Sequence, residues 1–159
     1  LHTVKYKNFK LVSDGRSLKN QKLIATEEFE MSDATRRAGK KILLNLTSLM
    51  GGQLQITKNE RTRTKDIQVG YPRTLTWNIT MPIPAGYTVK GLKELNTTID
   101  NEAGKFSCMA KEENGNVVLT ITKVYKQKDM PKEKWNDMLA FIDAAYNNIF
   151  KYILLQPIN

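Results

Sequence analysis

The chain has one cysteine, one histidine and no apolar run close to membrane-spanning length. A single thiol cannot close an internal disulfide, and one Cys with one His cannot build a Cys/His zinc site. Without about 18 consecutive apolar residues, no segment reads as a transmembrane helix. The start carries no secretory-signal pattern. Internal repeats and low-complexity linkers are absent. Aromatics make up only 8% of the 159 residues, and apolar residues 40%. That balance suits a globular chain able to bury one core.

Charge is plentiful but uneven. Lys and Arg number 25 against 16 Asp and Glu, a formal net charge of +9. Residues 1–80 contain 15 basic and 7 acidic side chains, whereas residues 81–159 contain 10 and 9. The excess gathers at Arg36, Arg37, Lys40 and Lys41, then at Lys58, Arg61, Arg63 and Lys65. Such a surface suits acidic glycans, nucleic acid phosphates or an anionic membrane face. Nucleic acid is disfavoured as a partner. The basic residues lack the interleaved aromatics of a single-strand binder and match no DNA- or RNA-reading motif.

The first eighty residues read as strands. The start through Val12 suggests an edge strand, with Asp14-Gly15 as a turn. Leu23–Met31 is extended, Ser32–Thr35 is a turn, Lys41–Leu46 is a compact apolar run, and Gln53–Thr57 alternates. The clearest strand is Arg73–Met81: Leu75, Trp77, Ile79 and Met81 fall on one face, and Thr74, Thr76, Asn78 and Thr80 on the other. Pro82 to Gly86 ends it, and Tyr87–Val89 resumes. Phe106, Cys108 and Ala110 share a strand face before an Asn114-Gly115 turn. Val117–Tyr125 returns with apolar residues on both faces, the mark of a central strand.

The period then changes. Trp135, Met138, Leu139, Ile142, Ala145, Tyr146 and Ile149 recur at three- and four-residue spacing, which predicts an amphipathic helix over about 131–150. Asp129 is the expected cap, with Pro131 in the first turn. Asn147-Asn148 is expected to loosen the helix end, and Tyr152–Leu155 either extends it or forms a last strand. Strands followed by one helix predict a mainly β fold, an antiparallel β-sandwich with one C-terminal amphipathic α-helix, as a single domain over residues 1–159.

Catalytic groupings are hard to assemble. Cys108 needs a base to form its thiolate, and the only imidazole is His2, near the terminus. A Ser/His/Asp set fails on the same ground. Gly51-Gly52 lacks both the phosphate-loop ending and the dinucleotide spacing, and no Asp/Asn cluster suggests calcium. Carboxylates such as Glu27, Glu30, Asp66 and Asp100 sit in ordinary polar contexts. Asn45, Asn78 and Asn96 head acceptor-like tripeptides that are common by chance. Trp77 and Trp135 lie on apolar faces and read as core. The expectation is a non-enzyme with no metal and no cofactor. Its candidate binding patch is basic and aromatic: Arg61, Arg63, Lys65, Tyr71 and Arg73.

From Arg61 onward the chain resembles the C-terminal uncharacterised β-domain of exported bacterial transglutaminase-like, papain-related multidomain proteins. The matching features are Arg61-x-Arg63 with Asp66-Ile67, the run Met81-Pro82-Ile83-Pro84-Ala85-Gly86-Tyr87-Thr88-Val89, the Asn114-Gly115 hairpin, Met130-Pro131, and Phe141-Ile142-Asp143-Ala144-Ala145. The likeness extends over residues 20–157. It implies a non-catalytic accessory domain excised from a larger chain, a reading that also suits the Leu1 start. The parent would be exported, periplasmic or at the cell surface. The family's nucleophile would lie in the upstream domain, so Cys108 inherits no role. The implied partners are the upstream domains of the parent chain or another protein. The alternative is a binding module for an anionic glycan or cell-envelope polymer, using the basic N-terminal half.

Overall fold

The computed structural model describes residues 4–16, 22–32 and 34–158. His2 and Asp33, the latter part of the expected turn, lie outside the described residues. The chain divides into two compact units, residues 1–35 and 36–159.

The first unit carries an antiparallel hairpin of β1 (Val4–Asp14) and β2 (Leu23–Met31). The expected edge strand is therefore one arm of a two-stranded ribbon. Its register places Tyr6 opposite Phe29 and Leu11 opposite Ala25, while Lys5 faces Glu30 on the other side. Tyr6, Phe9, Leu11, Leu23 and Phe29 are all exposed.

The second unit is mainly β with antiparallel sheets and one C-terminal helix, as the pattern predicts. Its elements are β3 (Thr35–Ala38), β4 (Lys41–Asn45), α1 (Thr47–Met50), β5 (Ile67–Gln68), β6 (Arg73–Pro82), β7 (Tyr87–Lys90), α2 (Leu92–Leu95), β8 (Thr97–Asp100), β9 (Gly104–Glu113), β10 (Asn116–Tyr125), β11 (Asp129–Met130), α3 (Trp135–Ile149) and β12 (Tyr152–Pro157). One four-stranded sheet has the order β6-β10-β9-β8, and the other β3-β4-β12-β7; β5 and β11 form a short pair.

Local chemistry explains the first sheet. Asn114 (φ 50°) and Gly115 (φ 72°) both take positive φ, which closes a two-residue turn matched to strand twist. Strand β10 is central, as its two-sided apolarity predicts. Its Val117, Leu119, Ile121, Lys123 and Tyr125 are buried on one face, beside Phe106, Cys108 and Ala110 of β9. At the edge, β6 alternates as expected but only half-buries its apolar face: Trp77, Ile79 and Met81 are intermediate, and Leu75 is 40% exposed.

Helix α3 covers this sheet with Met138, Phe141, Ile142, Ala145 and Ile149. Phe141 meets Tyr125 edge-on at 5.2 Å, a favoured aromatic geometry. Three expectations change at its ends. Asp129 caps nothing, because it pairs with Gln68 in the β11–β5 ladder. The helix starts at Trp135, after a 3-10 turn over Lys132–Lys134, and it is Asp66 that accepts from the turn's first amide, Lys132, at 3.1 Å. Asn148 does not loosen the last turn. It is 1% exposed and donates Nδ2 to the Leu95 carbonyl at 2.8 Å. The chain then leaves the helix and forms β12, so Tyr152–Leu155 is a strand between β4 and β7. Gln53–Thr57 forms no strand despite its alternation.

Candidate functional site: an arginine-lined groove

The residues between Arg61 and Arg73 run from a 3-10 turn (Lys58–Glu60) through β5 into β6. Thr57 and Glu60 close that turn as a capping box: the Glu60 carboxylate accepts from the Thr57 amide at 2.8 Å and its hydroxyl at 2.7 Å. These hydrogen bonds, the hydroxyl's first, hold the Glu60 carboxyl below the usual carboxylate range. The Glu60 carbonyl in turn accepts from the Trp135 indole Nε1 at 3.2 Å, tying the segment to the start of α3.

Beside this tie lies a groove of about 370 Å³, within the range of small-ligand sites. Leu54, Ile56, Met138 and Ile142 give it apolar walls, and Arg63 and Arg73 line it with their guanidinium groups. Arg63 Cζ lies 4.7 Å from the centre of the Trp135 ring. Arg73 Cζ lies 4.3 Å from that of Tyr125 and 5.4 Å from that of Tyr71. These are cation–π distances. Arg63 also donates Nε to the Lys65 carbonyl (3.1 Å) and Nη2 to that of Asp66 (3.3 Å), and Arg73 donates Nη1 to the Val69 carbonyl (3.4 Å). Both side chains are thus held in place, and neither pairs with a carboxylate among the described residues.

Behind Tyr125 stands a third cation. Lys123 is 3% exposed, donates Nζ to Gln53 Oε1 at 3.0 Å, and lies 5.4 Å from the Tyr125 ring centre. A buried ammonium ordinarily has an anionic partner, because desolvation costs several kcal/mol. Lys123 has none among the described residues.

The five residues read from the sequence as a patch therefore separate. Arg63 and Arg73 line the groove, and Tyr71 flanks Arg73, 65% exposed. Arg61 turns to α3 and forms a bidentate pair with Asp143, both contacts at 2.9 Å. That hydrogen-bonded carboxylate raises the Arg61 pKa and occupies its donors. Lys65 contributes its carbonyl to Arg63, while its side chain stays exposed. Trp135, Tyr125 and Met138 are groove residues that the patch did not include, and Lys123 lies near Tyr125 without lining the groove. Trp135 is buried as expected but also serves as a platform. Lys123 carried a readable signal, a charge at the fourth place of the inward series Val117, Leu119, Ile121, Lys123, Tyr125.

Cys108 lies on β9, fully buried. Burial pushes its thiol up to about 11, with the Lys151 charge opposing. Because the folded-state value is raised, the contribution is intact below the unfolded thiol's pKa and is lost as pH rises from about 9 towards 11. Two results are expected. A thiol-labelling reagent at pH 8 should react with Cys108 only as fast as the protein opens, and guanidinium should restore the rate of a free thiol. Wild type should also lose more stability than Cys108→Ala between pH 9 and 11. Prompt labelling of the native protein would contradict the buried assignment.

A mainly antiparallel β domain with one helix laid over a sheet, bearing a groove with two stacked arginines, is the class these features define. Its residues 40–155 match the model of the family described as a domain of unknown function with solved-structure structure (DUF3858), and the chain belongs to that family. No curated protein and no solved structure matches it.

Proposed function

We propose that this chain is a non-catalytic interaction domain whose working surface is the groove between the Ile67–Arg73 segment and α3. The observation that carries this reading is the pair of arginines fixed over Trp135 and Tyr125 beside apolar walls. Aromatic platforms and immobilised guanidinium groups lower the ordering cost of binding a partner. The buried, protonated Cys108 supports a role without a nucleophile. The resemblance to domains that follow a transglutaminase-like domain suggests the setting: an accessory module of an exported bacterial protein, binding its upstream domains or another protein.

The second reading, a module for an anionic glycan or envelope polymer, draws on a different surface. Lys40 and Lys41 border an open depression of about 840 Å³ with Thr88, Gln156 and Pro157, and Arg36 and Arg37 are exposed on the neighbouring β3. A long polymer suits that larger, basic ground better than the smaller groove.

The interaction reading is tested by adding a panel of short peptides to the isotope-labelled chain. The Trp135 indole and the Ile67–Arg73 amides should shift while mass spectrometry finds every peptide intact. Shifts confined to other surfaces, or cleaved peptides, would overturn it.

A further inference from the structure

The geometry points to a specific occupant for the groove: a carboxylate carried on an apolar group, in the form of a polypeptide C-terminus ending in an aliphatic residue. This inference rests on the interaction-domain reading and names its ligand.

The argument begins with charge. Arg63, Arg73 and Lys123 place three cations around Trp135 and Tyr125. Glu60 is the carboxylate that lines the groove, and its acceptor Oε2 is already engaged by Thr57. The Arg61–Asp143 pair nearby neutralises itself. The local balance is positive, and an anion would offset Arg63 and Arg73, which line the groove without a carboxylate partner among the described residues.

The remaining donors show how an anion can be held. Arg63 spends Nε and Nη2 on carbonyls, and Arg73 spends Nη1. Nη1 of Arg63, and both Nε and Nη2 of Arg73, have no partner among the described residues. The free Nε/Nη2 edge of Arg73 can take the two oxygens of a carboxylate side-on, and Arg63 Nη1 can add a contact from the facing wall, since charge-assisted N–H···O bonds are the strong ones.

The walls decide what carries the carboxylate. Leu54, Ile56, Met138 and Ile142 present hydrocarbon beside the cations. An acidic sugar would leave this surface unused, and an aspartate on a polar chain would too. An aliphatic C-terminal residue fills it with its side chain and offers its α-carboxylate to the arginines.

The test is calorimetry on the full chain with three probes: N-acetyl-isoleucyl-leucine as the free acid, the same dipeptide as its C-terminal amide, and inorganic phosphate. The acid should bind, and the amide should bind about tenfold more weakly or worse, the loss expected from one charge-assisted contact. Arg63→Gln and Arg73→Gln should each weaken the acid about tenfold and the amide by less than about threefold. Arg63 is exposed, so R63Q keeps the test valid even if R73Q lowers the melting temperature. Equal binding of acid and amide would overturn the carboxylate assignment while leaving an apolar interaction groove. Phosphate binding without acid binding would also overturn it. Groove shifts with longer peptides but no binding of any of the three probes would reject this ligand and retain the interaction domain.

Discussion

Gly104→Ala is expected to be among the most damaging single substitutions in the chain. Gly104 opens β9 where α3 crosses the sheet. A Cβ there would lie 2.5 Å from the Val124 carbonyl oxygen and 2.6 Å from Phe141 Cε1. One obstacle is the backbone of the paired strand, which cannot swing aside. The other is a fully buried ring already held against Tyr125. Overpacking a tight core typically costs about 1–3 kcal/mol and sometimes more. With backbone as one neighbour, the expected loss is at the upper end, about 3 kcal/mol. For a domain of this size that lowers the melting midpoint by about 6–12 °C. Phe141→Leu added to Gly104→Ala should recover only part of the loss, because the carbonyl contact remains. A midpoint within a degree or two of wild type would show that the sheet and helix are not seated this closely.

Asn148→Asp is expected to rival it, by a different mechanism. Asn148 is buried in the last turn of α3 and donates Nδ2 to the Leu95 carbonyl and, more distantly at 3.4 Å, to Thr97 Oγ1. Aspartate at this site loses the donor and brings a buried charge to face a carbonyl. A buried charge left without its partner costs about 3–5 kcal/mol, and the Lys151 ammonium, which shares Thr97 Oγ1 with Asn148, offsets part of that here. Asn148→Leu keeps the volume and brings no charge, so it should cost only the orphaned carbonyl, about 1–3 kcal/mol. The two variants also separate by pH. Protonation at low pH discharges the buried carboxyl, so stability relative to wild type should be regained as pH falls. Urea melts at pH 7 and pH 4 check both points. Equal losses for Asp and Leu at both pH values would contradict the buried clamp.

These two positions also mark where sequence reasoning succeeds and stops. Period-two alternation from Arg73 to Met81 and three-four spacing from Trp135 to Ile149 are local patterns, and the structure follows both. The Asn114-Gly115 turn is likewise written in two residues. What escaped reading depends on partners distant in the chain. Asn148 reads as a weak helix former until α2 brings the Leu95 carbonyl against it, 53 residues away. Asp129 reads as a cap until β5 recruits it into a ladder. Gln53–Thr57 alternates like a strand but pairs with none; one of its side chains instead holds Lys123, 70 residues on. The same limit applied to the site. Arg61, Arg63 and Lys65 look equivalent by spacing and charge. The fold pairs Arg61 with Asp143, directs Arg63 into the groove and leaves Lys65 outside. Which arginine remains available depends on carboxylates and aromatics supplied by α3 and β10.

The central claim is that the functional charge sits in the groove and not in the general basic excess of the first half. Neutralising each cluster separately tests it most directly. One variant carries Arg63→Gln and Arg73→Gln. The other carries Arg36→Gln, Arg37→Gln, Lys40→Gln and Lys41→Gln, which removes twice the charge. Affinity for the same C-terminal aliphatic peptide is then measured at low and at physiological salt. The groove pair should weaken binding about a hundredfold at both salt concentrations, while the strand cluster should leave physiological-salt affinity within about twofold, since exposed charges outside the site are screened. Loss of binding in the strand-cluster variant with retention in the groove variant would contradict the account.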